Sequence, residues 1–261
     1  MILFVSTYYN NSHFIKYQYL SFKKYIKEPF DFVILNDARR STTNVISGRK
    51  SDVEIENECK KYGIKHVKIP QNIHTKTRNT AGSRHQANLN WYFSSNYHDK
   101  KGYQYAFNHK IYDNPNRFSK KDYDKYDYII IMDADVCINK PIELEKLTNN
   151  NEFSFVGPST GTGGYIYIYL IFMLINLKNI PYEKIREFNF SEIKGAANIN
   201  TDTAGGMYNF FTKYPEYKVK YTTRTEFLEN FQSGSNWNNK SKEDYVKKFE
   251  SFIDKLKLSP V

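Results

Sequence analysis

Segments rich in apolar residues alternate with longer amphipathic segments over the first half of the chain. Residues 3–6, 32–35, 65–69 and 129–132 have the length of strands, and all but 65–69 are mainly apolar runs. Between them, apolar residues recur at helical spacing over residues 13–22, 51–62 and about 80–97. Alternating strands and helices favour a mainly parallel sheet covered by helices on both faces, so this pattern predicts an α/β fold.

Residues typical of helix and strand ends separate these segments. Asn11 and Ser12 precede the first helical segment and are candidate N-caps. Pro29 ends that helix, Gly63 closes the second helix, and Pro70 closes the third strand.

The second half of the chain is harder to divide into elements. Residues 99–126 are polar and aromatic and are predicted to form an insertion, followed by the 129–132 strand, a short helix at 142–147 and a strand at 153–156. The glycine-rich segment 157–164 lacks the P-loop pattern GxxxxGK[ST], and a mobile loop over a site and a hairpin connector both fit it. The apolar residues 165–175 are too few to span a bilayer and predict a strand or a strand pair. Helical periodicity over 242–256 predicts a final helix that docks on the body of the domain.

Composition excludes several classes of protein. A net charge of +10 with 23 tyrosines suits a nucleic-acid surface, but the chain has no run of five basic residues, which favours a dispersed charge that attracts anionic ligands. Cys59 and Cys137 form no CxxC pair, so neither a disulfide framework nor a zinc site is expected. The chain enters a strand at once, without the features of a signal peptide, so we expect a cytoplasmic protein with no membrane span.

Two carboxylates, Asp133 and Asp135, come directly after the apolar run of residues 129–132. Burying an ionised carboxylate costs several kcal/mol unless it is paired or binds a cation, and two neighbouring carboxylates repel each other. At the end of a buried parallel strand, this pair lies where open α/β sheets bind ligands. It suits Mg²⁺ or Mn²⁺, which take carboxylate, water and phosphate oxygens. Two aspartates that simply form a turn are the alternative.

Further motifs accompany this pair in a fixed order. The first strand continues into Thr7-Tyr8-Tyr9-Asn10-Asn11, the second ends in Asn36-Asp37, a helix contains Ser83-Arg84-His85, and Ser233-Gly234-Ser235-Asn236-Trp237 comes late in the chain. In this order the chain resembles the nucleotide-diphospho-sugar transferases of GT-A fold, and in particular a group of glycosyltransferase-like proteins of large DNA viruses and microbes. The resemblance implies one GT-A domain over residues 1–261, with a nucleotide-binding half (1–137, including the insertion) and a sugar and acceptor half (138–261). For a viral protein, the compartment would be the host cytoplasm.

The resemblance also implies roles for the matched residues. Asp133, Ala134 and Asp135 would form the DxD motif that binds the metal and the nucleotide sugar. Asp37 would accept hydrogen bonds from the ribose, and Arg84 would bind phosphate, with a turn aspartate as the alternative for Asp37. His85 and Asn88 are weaker candidates. Thr7, Tyr8 and Tyr9 would contact the nucleobase, and ordinary surface tyrosines are the alternative for this group. Ser235 and Asn236 would bind the diphosphate.

A second polar segment precedes a predicted helix at residues 208–211. Asp202 is the candidate catalytic residue, as a contact to the acceptor or to the donor sugar, and inversion of configuration would need a carboxylate base. Gly205 and Gly206 would allow the backbone to approach a sugar ring. A helix N-cap at residues 201–203 is the alternative role for Asp202.

The sequence departs from the family pattern at two places. Many GT-A enzymes complete the metal site with a C-terminal histidine, whereas the last histidine here is His109. Glu229, Asn230, water or the diphosphate would then supply the third ligand. Residues 165–177 are apolar where related proteins tend to carry Asn-Gly.

These observations favour a glycosyltransferase that uses Mn²⁺ or Mg²⁺ to move a sugar from a nucleoside diphosphate sugar to an unknown hydroxyl acceptor on a glycan, protein or small molecule. The resemblance implies a UDP-linked rather than a GDP-linked donor. A catalytically silent nucleotide-sugar or glycan-binding protein of the same fold is the main alternative. Sugar-nucleotide synthesis is disfavoured because the first strand lacks a glycine-rich, arginine-containing loop. Nucleic-acid binding ranks last.

Overall fold

The computed structural model describes most of the chain. The described residues are 1–8, 12–38, 48–70, 81–98, 104–106, 115–162, 164–193, 201, 203–223, 227–231, 250–252 and 254. The strands are β1 (Ile2–Tyr8), β2 (Phe30–Asn36), β3 (Lys65–Lys68), β4 (Asn96–His98), β5 (Gln104–Ala106), β6 (Tyr128–Met132), β7 (Val136–Ile138), β8 (Phe155–Thr162), β9 (Tyr165–Ile168), β10 (Phe172–Asn176), β11 (Val219–Thr222) and β12 (Leu228–Asn230). The helices are α1 (His13–Tyr25), α2 (Gly48–Tyr62), α3 (Ala81–Phe93), α4 (Lys120–Lys125), α5 (Leu144–Leu147), α6 (Tyr182–Ile185) and α7 (Met207–Lys213).

The central sheet is mainly parallel. Its strand order is β3-β2-β1-β6-β10-β8-β11, with β9 paired to β8. β1 lies between β2 and β6 and runs parallel to both, whereas β10 runs antiparallel to β6 and to β8. The predicted α/β fold with a mainly parallel sheet is therefore confirmed.

Successive residues of the central strands pack on opposite faces of the sheet. Leu3 and Val5 of β1 belong to a core that includes residues of α3 and α7, whereas Ile2 and Phe4 belong to a core that includes residues of α1 and α2. Because both faces are covered, the central strands are apolar throughout rather than alternating. This burial explains the continuous apolar run of β6, whose five residues are all buried.

The predicted helix ends are partly correct. Gly63 has φ +64°, and the N–H of Ile64 donates to the carbonyl of Cys59 at 2.9 Å, which is the hydrogen bond of a Schellman C-cap. Ser12 precedes α1 but has helical φ and ψ, and its side chain makes no capping hydrogen bond. Ser12 therefore occupies the predicted N-cap position but does not cap the helix with its side chain, because a capping side chain needs extended backbone to turn toward the helix. Asn11 lies outside the described residues.

The glycine-rich segment forms a hairpin. β8 continues through Thr162 and pairs antiparallel with β9, with Ser159 opposite Ile168. The apolar residues 165–175 contribute a strand pair, β9 and β10. Of the two alternatives for residues 157–164, the structure supports the hairpin connector and contradicts the mobile loop, since the backbone of residues 157–162 is paired in the sheet. Residue 163 lies outside the described residues.

Three further predictions have mixed outcomes. α3 ends at Phe93, before the predicted 97, and residues 96–98 instead pair antiparallel with 104–106 at the start of the predicted insertion. The C-terminal helix falls mostly outside the described residues, but residues 250–252 and 254 are helical, and Phe252 packs against Phe231 with ring centroids 5.4 Å apart. Among the residues with described positions, no helix is long and apolar enough to cross a membrane.

Candidate functional site

Polar residues collect where the parallel strands β1, β2 and β6 end. Tyr8 ends β1 opposite Asn36, the last residue of β2, and Met132 ends β6 opposite Ser6 of β1. The next residues along β2 and β6 are Asp37 and Asp133. These candidate residues therefore lie at one edge of the sheet, where open α/β folds bind ligands.

Asp133, Ala134 and Asp135 form a tight turn between β6 and β7. The N–H of Val136 donates to the carbonyl of Asp133 at 3.3 Å across this turn. The strand that precedes it is fully buried, whereas the side chain of Asp133 is 27% exposed and that of Asp135 is partly exposed. The turn thus brings two carboxylates from the interior of the sheet to its surface.

A second Asp-x-Asp sequence shows that spacing alone does not make such a site. Asp122 and Asp124 lie on helix α4, where residues two apart point in different directions. Asp122 accepts hydrogen bonds from the backbone N–H and hydroxyl of Ser119 in a capping box, and Asp124 pairs with Lys120. Both carboxylates are therefore bound by residues of the same helix or of its N-cap.

Asp37 and Arg84 form a buried ion pair with each other. The Nε–H of Arg84 donates to Oδ2 of Asp37 at 2.7 Å, and Nη2 donates to the backbone carbonyl of Asp37. Their side chains are 0% and 6% exposed. The two were predicted to contact ribose and phosphate respectively, whereas in this structure they hold the end of β2 against α3. The buried pair therefore has a structural role, joining β2 to α3, that was not predicted from the sequence.

Tyr8 faces the interior rather than the surface. Its side chain is 1% exposed, and its hydroxyl lies 2.9 Å from Oε1 of Gln18 and 3.1 Å from the carbonyl of Ala134. Burial raises the pKa of Tyr8 well above its usual value, and Cys137, Cys59 and Asp135 raise it further, so the phenol stays protonated as a donor. The predicted base-stacking face of Tyr8 is therefore not exposed. Thr7 is partly exposed, and Tyr9 lies outside the described residues.

His85 contacts the DxD turn. Its Nδ1 lies 3.2 Å from Oδ1 of Asp133, and its Nε2 is buried without a hydrogen-bond partner among the described atoms. Asn88, one helical turn further along α3, is fully buried, and both of its amide atoms likewise lack a partner within the described part of the chain. Of these two weaker candidates, His85 therefore touches a predicted metal ligand.

The C-terminal strand β12 lies beside the turn. It pairs antiparallel with β7, with Glu229 opposite Cys137 and Asn230 opposite Val136, and the N–H of Phe231 donates to the carbonyl of Asp135 at 2.9 Å. Burial raises the pKa of the Cys137 thiol well above its usual value, and the charges of Asp135 and Glu229 raise it further. The carboxylates of Asp135 and Glu229 therefore both lie close enough to this thiol to raise its pKa. Glu229 and Asn230, the two protein candidates for a third metal ligand, are on the strand next to the turn.

The donor set of the turn fits a divalent cation held partly by substrate. Among the residues that the structure describes, no group of three or more His, Cys, Asp or Glu side chains is arranged to enclose a metal. Asp133 and Asp135 offer two hard carboxylates on a partly exposed turn. Mg²⁺ is commonly bound in this way, by one or two carboxylates with water and phosphate oxygens completing its shell. The protein groups fit an open site rather than a closed cage.

The segment predicted to contact the sugar is only partly described. Gly205 and Gly206 are buried, and a Cβ on Gly206 would lie 2.5 Å from the carbonyl oxygen of Asn189, while one on Gly205 would overlap Thr201. The missing side chains of these glycines therefore allow close packing against Thr201 and Asn189 of the protein itself. Asp202, Ser235 and Asn236 lie outside the described residues.

Gln18 is a site residue that the sequence predictions missed. It lies on the same face of α1 as the buried Phe14, Ile15 and Phe22 and is itself fully buried. Its Nε2 lies 2.7 Å from the carbonyls of both Asp133 and Val136. The available signal was a polar amide at a core position of an amphipathic helix, because a buried amide needs hydrogen-bond partners.

No protein-family model and no curated protein matches the sequence. Similar solved structures include the galactosyltransferase LgtC with donor and acceptor sugar analogues, which is 11% identical over 100% of this chain and 98% of its own, with a TM-score of 0.46. The mannosyltransferase PcManGT from Pyrobaculum calidifontis, with GDP-Man and Mn²⁺, is 9% identical over 85% of this chain and 54% of its own, with a TM-score of 0.42. Glucosyl-3-phosphoglycerate synthase from Mycobacterium tuberculosis, with Mn²⁺, UDP and phosphoglyceric acid, is 9% identical over 100% of this chain and 80% of its own, with a TM-score of 0.42.

Proposed function

We propose that the chain is a metal-dependent glycosyltransferase that moves a sugar from a nucleoside diphosphate sugar, UDP-linked, to a hydroxyl of an acceptor. The observation that carries the proposal is the position of Asp133 and Asp135, which directly follow a fully buried strand and place two carboxylates at the carboxyl edge of the sheet. These two residues would hold Mn²⁺ or Mg²⁺. When bound, the cation would neutralise negative charge that builds on the departing diphosphate.

The chain's own residues would bind and orient the donor. The buried pair of Arg84 and Asp37 would fix the end of β2 beside the nucleotide. Thr7 and Tyr9 would contact the nucleobase, and Ser235 and Asn236 would bind the diphosphate, as the sequence resemblance implies. Thr7, Tyr9, Asp37 and Arg84 belong to the proposed nucleotide-binding half at residues 1–137, whereas Ser235 and Asn236 lie in the half at residues 138–261.

The acceptor side would lie in the half at residues 138–261. Asp202 would serve as the catalytic carboxylate or as a sugar contact, next to the buried Gly205 and Gly206. The proposed compartment is the cytoplasm.

Calorimetric titration with UDP in the presence and absence of Mn²⁺ tests the proposal. We expect binding that requires the cation, that is lost on chelation with EDTA, and that is weaker for GDP. The double variant Asp133→Ala, Asp135→Ala should abolish it. The double variant Asp122→Ala, Asp124→Ala is a matched control, since it removes two carboxylates of the same spacing from helix α4 and should bind UDP as the wild type does.

Turnover separates the enzyme from a silent binding protein. A panel of UDP-sugars incubated with the protein and Mn²⁺ should release UDP, slowly to water and faster with the correct acceptor. Metal-dependent UDP binding without release from any donor would support the silent alternative. Equal UDP binding by the wild type and the Asp133, Asp135 double variant would contradict the proposed metal site.

A further inference from the structure

The backbone of the DxD turn is held by a side chain from helix α1. The amide Nε2 of Gln18 lies 2.7 Å from the carbonyl oxygen of Asp133 and 2.7 Å from that of Val136. A primary amide has two N–H donors, and this geometry uses one for each carbonyl. The two carbonyls flank Ala134 and Asp135, so Gln18 bridges the turn from one side to the other.

Tyr8 extends this bridge from strand β1. Its hydroxyl lies 2.9 Å from Oε1 of Gln18 and 3.1 Å from the carbonyl of Ala134, the residue between the two aspartates. Donation to Oε1 fixes which end of the amide faces the turn, and therefore directs both N–H groups of Gln18 at the carbonyls. Gln18 and Tyr8 are 0% and 1% exposed. Water does not compete with these bonds, so they hold their geometry.

A third contact fixes Gln18 itself. The hydroxyl of Ser21 donates to the backbone carbonyl of Gln18 at 2.8 Å and accepts the N–H of Ile138 in β7 at 3.3 Å. Helix α1 is therefore attached to the chain both within the turn and after it. We name Gln18, Tyr8 and Ser21 the α1 brace.

The turn needs an external brace for an electrostatic reason. Two carboxylates one residue apart repel each other before a cation arrives, and a short turn with one weak internal hydrogen bond of 3.3 Å offers little resistance. A restraint that acts on the backbone leaves the carboxylates available for ligand binding. Gln18 does this without touching either carboxylate group.

We propose that Gln18 is a positioning residue that holds Asp133 and Asp135 in the orientation that binds a divalent cation with the donor diphosphate. The proposal rests on the proposed function for the identity of the ligand. The restraint on the turn itself does not depend on that function, so the two fail separately in the experiments below.

Gln18→Met and Gln18→Glu are the informative variants. Methionine keeps the length of the side chain and removes all its hydrogen bonds, whereas glutamate keeps an acceptor for Tyr8 but, when ionised, has no N–H for the two carbonyls. We expect both variants to bind Mn²⁺ and UDP about 10–100-fold more weakly than the wild type, as is typical when a group that orients metal ligands is lost. Tyr8→Phe leaves both N–H donors of Gln18 in place and removes only the hydrogen bond that orients the amide, so it should weaken binding less.

Asn176→Leu is the matched control for general destabilisation. Asn176 is also a fully buried amide; it donates to Asn151 of another segment and accepts the N–H of the nearby Lys178, but it lies at the end of β10 on the opposite edge of the sheet. Its variant should lose stability without a change in Mn²⁺ affinity. If Gln18→Met binds Mn²⁺ and UDP as tightly as Asn176→Leu does, Gln18 has only a structural role and the proposal is overturned.

Hydrogen exchange at the amides of residues 134–138 tests the brace without any ligand. We expect faster exchange in Gln18→Met than in Asn176→Leu at these amides, with equal exchange in β2. Should the wild type bind no nucleotide, the proposed function fails while this comparison still decides whether Gln18 restrains the turn. Unchanged exchange in Gln18→Met would overturn the brace whatever the ligand is.

Discussion

The side-chain amide of Asn36 donates to Nε2 of His66 over 2.8 Å, next to the candidate site. The same amide nitrogen lies 3.0 Å from Oδ1 of Asp52, and the amide oxygen accepts the N–H of Ala38 at 3.0 Å, which fixes its orientation. Nε2 of His66 is therefore an acceptor, which requires a neutral imidazole. Asn36 directly precedes Asp37, so this network links the protonation of His66 to the end of β2.

Acidification should weaken the fold through His66. Burial lowers the pKa of His66, and Lys68 and Lys60 add to that effect while Glu56 and Asp52 oppose it. The unfolded chain then binds a proton at higher pH than the folded chain does, so this contribution is fully present above about pH 6.5 and is lost as the pH falls below it. Urea unfolding at several pH values should show this loss in the wild type.

His66→Gln is the control for this pH dependence. Glutamine does not titrate, so the difference in unfolding free energy between wild type and variant should change over the same pH range. An identical pH dependence in both proteins would show that His66 does not contribute to it.

Removing one partner of the buried Arg84–Asp37 pair should be costly. Arg84→Met leaves the carboxylate of Asp37 buried without its guanidinium, and such a change typically costs about 3–5 kcal/mol. The free energy of unfolding from urea titration measures it. In the double variant Arg84→Met, Asp37→Asn, part of this loss should be recovered, because no uncompensated charge remains. A normal stability with lost UDP binding in Arg84→Met would instead point to the phosphate contact first predicted from sequence.

Gly206→Ala should lower the stability of the protein, and not only its binding of a sugar. The added Cβ would lie 2.5 Å from the carbonyl oxygen of Asn189, and overpacking of this kind typically costs about 1–3 kcal/mol. Thermal unfolding measures the effect. Gly164→Ala, at φ +88° with open space around it, provides a comparison in which backbone strain is the cause. Loss of activity at unchanged stability in Gly206→Ala would favour the sugar contact.

Both cysteines should resist alkylation in the folded protein. Burial raises the pKa of Cys59 to about 12, with added effects from Glu58 and Glu56, and raises that of Cys137 as well. The reactive thiolate is therefore scarce and inaccessible at neutral pH. Mass spectrometry after iodoacetamide treatment should show no modification under native conditions and two modified thiols in denaturant. Rapid native labelling of Cys137 would contradict the closed packing of β7 against α1.

The local pattern of the sequence determined the elements and the position of the DxD turn. The apolar runs of β1, β2 and β6 are buried from both sides, so their composition alone marks them as inner strands, and parallel inner strands place their following residues at one edge. Gly63 marks a helix end because its backbone conformation is costly for other residues. These are short-range effects, which a single sequence contains.

Only the tertiary structure decided which polar groups meet. Arg84 and Asp37 are 47 residues apart in the chain, and Gln18 and Asp133 are 115 apart. Polar side chains at a sheet edge have several potential partners, and the choice among them depends on how the helices pack. The sequence therefore located two carboxylates at the end of a strand. Packing assigned Asp37 and Arg84 to each other, turned Tyr8 inward, and placed the amide of Gln18 behind the turn that those carboxylates occupy.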